Sequence, residues 1–167
     1  MEQLKTPTHN KFIYANPALD VKKQFGSVLI LECPPEAAAA FGYAIEEYTM
    51  NVMAMVLSDP QKGLAALKEM YFDCLVCNMD KPELMGEKII HEYQTRISPT
   101  SCAIACTADM KNEDLWKDLC APDCVYHRPD KLDAQRLKEF AKMIEMGIDM
   151  AHQRRIEALG YDIDKDL

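Results

Sequence analysis

The sequence predicts one α/β domain in which helices cover both faces of a parallel five-stranded sheet. Two patterns predict this fold. Five short apolar runs alternate with segments whose apolar residues recur at helical spacing, as in repeated strand–helix units. The runs are continuous rather than alternating, which is typical of strands that are buried on both faces. Right-handed crossovers restrict the connections, so we expect the strand order 2-1-3-4-5 for a sheet of this size.

Proline residues mark most of the element boundaries. Pro34 and Pro35 prevent the first strand from continuing, and Pro60 stands at the first position of the second helix. Pro99 breaks the third helix, and Pro129 ends the fifth strand. The predicted strands cover residues 28–31, 52–57, 74–77, 102–106 and 124–127, and the fourth helix is predicted as a short one over 112–119.

The two ends of the chain differ from the central domain. Residues 1–26 lack sustained periodicity, so we expect a flexible or loosely docked N-terminal arm. The folded domain is predicted over 27–144, and its last helix continues into an extension and tail over 145–167. Apolar residues along this helix step by three and four, which suits either packing on the sheet followed by a solvated tail or self-association. This heptad-like seam consists of Leu137, Ala141, Ile144, Ile148 and Ala151.

Composition places the chain among ordinary globular proteins. Its 167 residues are 49% hydrophobic and 28% charged. No run approaches the roughly 18 apolar residues that cross a membrane, and the first residues lack an apolar signal region, so we expect a cytoplasmic protein. A formal net charge of −8 argues against a general nucleic-acid surface, because phosphate contact needs a cationic face.

Seven cysteines raise the question of a metal site. In an apolar strand, a free cysteine acts as a small hydrophobe, and in the cytosol it stays reduced. Cys74 and Cys77 have zinc-ligand spacing, which Cys120 and Cys124 could complete, but alternation along a strand points the first pair to opposite faces. We therefore expect the strand cysteines to pack in the core, and we predict no metal site.

The predicted topology brings five side chains to one edge of the sheet. In an open α/β sheet, ligands bind beyond the carboxyl ends of the strands, near the switch point of the strand order. Glu32 and Cys33 follow the first strand, and Asn78 ends the third. Thr107 follows the fourth strand, and Arg128 follows the fifth. We expect these five residues to form one pocket.

Residues 27–144 resemble the receiver domain of two-component response regulators. The segment over 73–82, at the third strand, is similar to the family's Asp-Leu-Val-Leu-x-Asp-x-x-x-Pro pattern, and motifs after the first, fourth and fifth strands stand at corresponding places. The resemblance implies a flavodoxin-like (βα)5 three-layer sandwich with an extended C-terminal helix. The positions that carry it are Glu32-Cys33, Pro82, Gly86, Thr107-Ala108 and Arg128-Pro129.

The resemblance fails at the residues that carry the family's chemistry. In receivers, the carboxylate at the Asn78 position accepts the phosphoryl group, whereas an amide cannot form an acyl phosphate. Mg²⁺ needs anionic oxygen ligands, yet of the family's three acidic positions only Glu32 remains, and Cys33 is a poor ligand. Arg128 replaces a lysine and favours a carboxylate partner, so we expect it to pair with Glu32. The sequence thus predicts a degenerate receiver, or pseudo-receiver, that is not phosphorylated and has lost or weakened Mg²⁺ binding.

These departures favour a response regulator that acts in signal transduction by binding other proteins, independently of phosphorylation. Its partner would be a regulatory protein or a sensor kinase, and the C-terminal helix would allow a homodimer. We do not expect an enzyme, because no glycine-rich phosphate loop follows the first strand. The basic residues His152, Arg154 and Arg155 could pair with an acidic partner or form a solvated face. The predicted interaction face consists of Trp116, Tyr126, Leu137, Ile144 and Ile148.

Two other functions stay open at this point. A redox sensor could use Cys33, since the neighbouring cation Arg128 would lower its thiol pKa, with Cys106 as the resolving thiol. Alternatively, a small polar or anionic ligand could bind beside Arg128 and replace phosphate as the switch.

Overall fold

The structure, a computed structural model, describes residues 25–31, 34–81 and 85–160. The predicted N-terminal arm lies outside these ranges except for Phe25 and Gly26. Glu32, Cys33 and Pro82 also lie outside them, as does the end of the predicted C-terminal extension. What was predicted for those positions therefore stays a prediction.

Five parallel strands form one sheet in the predicted order 2-1-3-4-5. They are β1 (Gly26–Leu31), β2 (Val52–Leu57), β3 (Cys74–Asn78), β4 (Cys102–Thr107) and β5 (Cys124–His127). The central strands β1, β3 and β4 are almost entirely buried, whereas the edge strands β2 and β5 are partly exposed. The continuous apolar runs are therefore explained by helices on both faces, and the predicted flavodoxin-like fold is confirmed.

A helical element follows each strand. Two of the helices begin at an aspartate whose side chain satisfies free backbone donors: Asp59 accepts from the Gln61 amide at 2.8 Å, and Asp133 accepts from the Arg136 amide at 2.9 Å. Among the helices that the structure describes, none is both long and apolar enough to cross a membrane. The helices are α1 (Pro35–Tyr48), α2 (Pro60–Glu69), α3 (Gly86–Glu92), α4 (Glu113–Trp116) and α5 (Ala134–Ala158).

The fourth helix is shorter than predicted. A 3-10 turn over Met110–Asn112 leads into α4, which makes a single turn instead of the helix expected over 112–119. Trp116 is buried at 3% exposure, and its carbonyl accepts from the amides of Leu119 and Cys120 as the chain turns away. Burial of this one aromatic residue therefore positions a segment that has little helix of its own.

Each face of the sheet has its own hydrophobic core. On the face covered by α1 and α5, the rings of Phe41 and Phe140 stack with centroids 4.1 Å apart, and Tyr126 meets both of them edge-on. On the other face, Leu67 of α2 and Ile90 of α3 cover the sheet together with other buried residues. Two separate cores, each about one side chain deep, are what a three-layer sandwich requires.

The strand cysteines divide between these two cores. Cys74 lies in the core under α5 and Cys77 in the opposite core, so the alternation expected from strand geometry is confirmed. Cys120 and Cys124 are likewise on opposite faces of the sheet. Neither pair can therefore supply two ligands to one ion.

Helix α5 packs on the sheet along its whole seam. Leu137, Ala141, Ile144, Ile148 and Ala151 are all at most 6% exposed. Gly147 permits the close approach, because a Cβ there would lie 3.1 Å from Cys102 Sγ and 3.3 Å from Cys74 Sγ. The prediction of a solvated tail or a self-association seam over these residues is corrected, since the seam is used within the domain.

Asp73 attaches the end of α5 to the amino edge of the sheet. This buried residue precedes β3, and its Oδ2 accepts from the Ser27 amide of β1 at 2.9 Å. Its Oδ1 lies 3.1 Å from Arg155 Nη1 and 3.3 Å from His152 Nε2. Burial alone would raise the pKa of Asp73, but the contacts with His152, the Ser27 amide and Arg155 outweigh it and lower the pKa.

Asp123 has the same role at the next pair of strands. It precedes β5, and its Oδ2 accepts from the Ala103 amide of β4 at 2.8 Å. Its Oδ1 accepts from Arg154 Nη2 at 2.6 Å, which raises the pKa of the guanidinium. The basic residues near the end of α5 thus bind carboxylates of their own domain, which corrects both the solvated face and the acidic partner considered for them.

Replacing Asp73 by Asn should lower the free energy of unfolding by about 3 kcal/mol at pH 7, because Arg155 and His152 would then face a neutral amide in a buried site. The lowered pKa makes this stabilisation fully present above the unfolded-state pKa and progressively lost as pH falls through the folded-state pKa. Urea unfolding at several pH values should therefore show the two proteins converging below about pH 4.

The control is Asp149→Asn, which removes the same charge from an exposed position on α5. It should change the free energy of unfolding by less than about 0.5 kcal/mol. Equal losses in the two variants, or an Asp73→Asn deficit that stays constant down to about pH 2, well below the ordinary aspartate pKa, would contradict the assigned role.

Candidate functional site

Three of the five predicted pocket residues meet at the carboxyl edge of the sheet. Asn78 ends β3 at 1% exposure, and Thr107 ends β4 at 0%. Arg128 follows β5, and its backbone amide donates to the Thr107 carbonyl at 2.8 Å. Glu32 and Cys33 lie outside the described residues, so the expected pairing of Arg128 with Glu32 stays a prediction.

The Asp80 carboxylate also lies at this edge. The sequence patterns did not indicate it. Its Oδ1 accepts from the Thr107 hydroxyl and, at 2.9 Å, from Asn112 Nδ2. Its Oδ2 accepts from the Ala108 backbone amide at 2.7 Å. A hydroxyl, a backbone amide and a side-chain amide therefore converge on one anion, which is the donor set expected of an anion-binding site.

Asn78 holds Asp80 in this position. The Asn78 Oδ1 accepts from the Asp80 backbone amide at 2.9 Å, a local turn in which an Asn side chain takes the place of a backbone carbonyl. The polar end of the buried strand thus directs the following residue into the pocket. Its side-chain oxygen is committed to that turn.

Thr107 links the same carboxylate to the next loop. Its Oγ1 accepts from the Asp109 amide at 3.2 Å, and its hydrogen has two acceptors within reach, Asp80 Oδ1 and the Asp109 carbonyl at 2.9 Å. The charged oxygen is the stronger acceptor of the two. Asp80 therefore ties together the loop after β3, the end of β4 and the turn that leads into α4.

Comparison with known proteins defines the fold. The sequence matches no protein-family model and no curated protein, but many solved structures match. The signal receiver domain of an HD-domain-containing protein from Pseudomonas fluorescens superimposes with a TM-score of 0.67 at 12% identity, covering 80% of this chain and 93% of that one. A CheY-like receiver domain protein from Methanospirillum hungatei gives 0.64 at 14% identity, covering 78% and 98%. The chain has the receiver fold.

A third match is a receiver domain with a bound metal ion. The receiver domain of a sensor histidine kinase from Pseudomonas aeruginosa, with a magnesium ion coordinated in its active-site cleft, gives a TM-score of 0.62 at 13% identity. It covers 74% of this chain and 98% of that one. At such identities the likeness establishes the receiver fold, and function must be argued from the side chains of this chain.

The predicted interaction face of this receiver fold is corrected by burial. Trp116, Leu137, Ile144 and Ile148 are between 0% and 6% exposed, so these side chains are not available to a partner. Tyr126 is half-buried against the aromatic pair of α1 and α5, and burial raises its pKa to about 12. The apolar spacing predicted that these residues make packing contacts. It could not show that the contacts lie within their own domain.

The cysteine chemistry considered from the sequence finds no support in the described residues. Cys106, the proposed resolving thiol, is fully buried in the core between the sheet and the α1–α5 layer. Burial raises the pKa of Cys120 to about 11, and the adjacent Cys102 thiol together with burial raises that of Cys74. Raised thiol pKa values disfavour the thiolate, which is the reactive form.

Replacing Asp80 by Ala should release the loop between β4 and α4, because three donors lose one shared acceptor. We expect a loss of about 2 kcal/mol in the free energy of unfolding and a faster amide exchange of Ala108, whose N–H donates to Asp80. NMR-detected hydrogen exchange measures both effects.

Asp114→Ala is the matched control, since it removes an exposed carboxylate of α4 that only pairs with Lys117 at the surface. It should leave the Ala108 exchange rate within about twofold, well under the tenfold that corresponds to 1.4 kcal/mol. An Ala108 amide that exchanges equally fast in wild type and Asp80→Ala would show that the carboxylate does not hold this loop.

Proposed function

We propose that this protein is a pseudo-receiver: a receiver-fold signalling protein that works independently of phosphorylation and acts by binding other proteins. The observation that carries the proposal is the pair Asn78 and Asp80. An amide stands at the strand end where a phospho-acceptor carboxylate is expected, and an internal carboxylate already fills the neighbouring donor set.

The chemistry of Asn78 supports the first half of the proposal. Formation of an acyl phosphate needs a carboxylate oxygen as nucleophile, and an amide oxygen is neutral and weakly nucleophilic. The Asn78 oxygen also accepts from the Asp80 amide, so attack would require this turn to open. Asn78 therefore serves as a structural residue that aims Asp80.

Asp80 is a poor substitute nucleophile. Both of its oxygens accept hydrogen bonds, from Thr107 and Asn112 on one side and from Ala108 on the other. Those bonds withdraw electron density from the attacking lone pairs, and an incoming phosphoryl group would compete for the same donors. We infer that Asp80 supplies a permanent anion, so that the pocket stays in one state without a phosphoryl group.

The described pocket residues do not fit a magnesium ion. A hard cation needs several oxygens with free lone pairs, usually from carboxylates. Here the Asn78 and Asp80 oxygens face hydrogen-bond donors, and within the described ranges no three acidic, histidine or cysteine side chains group as metal ligands. We propose that Mg²⁺ binding is lost or weak and that no step of the function uses it.

Output then rests on docking, with a regulatory protein or a sensor kinase as the proposed partner. The surface beside the pocket offers two exposed methionines, Met85 before α3 at 37% and Met110 before α4 at 64%. Flexible methionine side chains adapt to varied apolar partners. Because Asp80 holds the loop that carries Met110, the same carboxylate that fills the pocket would also shape this surface.

Incubation with acetyl phosphate and Mg²⁺ followed by intact-mass measurement should show no added phosphate on the wild-type chain. Asn78→Asp should also remain unmodified, because Asp80 still holds the donors. A receiver domain with an intact phospho-acceptor aspartate serves as the positive control. Stoichiometric phosphate on an aspartate of the wild-type chain would refute phosphorylation independence.

Titration with Mg²⁺ tests the metal separately. The amide resonances of Thr107 and Ala108 should stay unshifted below about 1 mM Mg²⁺, because the Asp80 oxygens beside them already accept hydrogen bonds. Ca²⁺ at equal concentration controls for general ionic effects. A saturable shift at sub-millimolar Mg²⁺ would show that the pocket binds the metal after all.

A further inference from the structure

In the part of the chain that the structure describes, nothing pairs with the outer edge of β2. Its sequence, Val-Met-Ala-Met-Val-Leu over Val52–Leu57, has no charged residue and no proline. All six residues are partly or well exposed, Met53 at 43%, and within the described residues only β1 pairs with the strand. Proteins normally protect such an edge with a lysine, a proline or a bulge, because its free backbone groups can pair with another chain.

The direction of the backbone groups on this edge follows from one hydrogen bond. The Gly26 amide of β1 donates to the Asn51 carbonyl at 2.9 Å, so the backbone groups of Asn51 point toward β1. Alternation along a strand then turns the N–H and C=O groups of Val52, Ala54 and Val56 outward. The outer edge therefore offers three donor–acceptor positions at regular spacing.

We propose that β2 pairs with the β2 strand of a second copy of this chain, antiparallel, about a two-fold axis through Ala54. The five residues Val-Met-Ala-Met-Val read the same in both directions. A two-fold axis at Ala54 sets Val52 opposite the partner's Val56 and Met53 opposite the partner's Met55. All three outward positions then form reciprocal hydrogen-bonded pairs, and the two sheets join into one.

Charge selects this surface for self-association. The chain carries a net charge of −8, so two copies repel each other, and an uncharged contact avoids adding close like-charge pairs to that repulsion. The other sheet edge, β5, has four residues, ends at His127 and is followed by Arg128. β2 is the longer edge and the one without charge.

A glycine in α1 fits the same arrangement. In a joined sheet the two α1 helices lie on one face about two strand spacings, roughly 10 Å, apart, which is a helix-packing distance. Gly42 stands in mid-helix, where glycine costs about 1 kcal/mol relative to alanine. The described part of its own domain does not require it, since among those residues a Cβ there would meet only Val56 Cγ2, at 3.4 Å. In the dimer, a glycine at this position would allow the partner's α1 to approach closely.

This dimer does not involve the pocket at the carboxyl edge. Experiments on the dimer and on the proposed function therefore test separate proposals. A six-residue strand pair with two flanking helices lies toward the lower end of the roughly 1,200–2,000 Å² that specific interfaces bury. We therefore expect a dissociation constant in the micromolar range.

Sedimentation velocity of the full chain from about 1 μM to about 500 μM, which brackets micromolar affinity, tests the dimer. The mass should rise from that of the 19.0 kDa monomer toward twice that value. Met53→Lys should weaken association at least tenfold, because the introduced lysine of each copy would face the apolar Met55 side chain of the other copy. Met146→Lys, the same change at a 63% exposed position of α5, should leave association within about twofold, a small fraction of the tenfold step that 1.4 kcal/mol represents.

The antiparallel register has its own test. Adding Met55→Glu to Met53→Lys should restore much of the association, since the introduced lysine of each copy would then face the introduced glutamate of the other. Circular dichroism confirms that each variant is folded. Failure of the double variant to recover, with its fold intact, would overturn the register centred on Ala54.

Hydrogen exchange at the outward amides of Val52, Ala54 and Val56 distinguishes other occupants. Their protection should grow with protein concentration. A chain that stays monomeric throughout, or protection already complete at monomer concentrations and lost on deletion of residues 1–24, would overturn the second copy as occupant.

Discussion

Helices cover both faces of the five-stranded sheet, and this constraint governs where polar chemistry can occur in the molecule. Backbone groups inside the sheet satisfy one another, but those at the strand ends need side-chain partners. Three aspartates are among these partners. Asp73 and Asp123 accept from strand amides at the amino edge, and Asp80 accepts from the Ala108 amide at the carboxyl edge.

At the amino edge the aspartates determine the course of the last helix. Each carboxylate uses one oxygen for a neighbouring strand and the other for a basic side chain of α5. The helix is therefore held beyond the point where it leaves the sheet, and its apolar seam stays buried. This arrangement buries the heptad-like seam of the last helix as a layer of the domain, so the surface that we propose for a second copy is the uncharged edge of β2 instead.

At the carboxyl edge a single aspartate changes what a familiar fold can do. Asn78 cannot accept a phosphoryl group, and it turns the chain so that Asp80 meets donors from Thr107, Ala108 and Asn112. The pocket thus contains its own anion. We propose that a receiver fold with this pocket signals through a fixed shape, with specificity set by the surface around it.

Much of this could be predicted from residue patterns, and the exceptions share one cause. The five strands, their order and the meeting of Asn78, Thr107 and Arg128 follow from buried runs and from the geometry of parallel sheets. Asp80 was missed because it occupies a variable position of the motif, although an Asn two residues before it signals a turn. The short α4 was missed because helical spacing cannot show that Trp116 anchors a turn instead.

The sequence alone determined the layers of this protein, because alternation between strand and helix periodicity is a local property. It also determined that Asn78 lacks the chemistry of a phospho-acceptor, since that depends on one functional group. Only the tertiary structure decided which polar groups meet. Asp73 contacts Arg155 across 82 positions of the chain, and Asp80 contacts Asn112 across 32. Such contacts depend on how helices cross the sheet edges, and the local pattern around each residue does not contain that information.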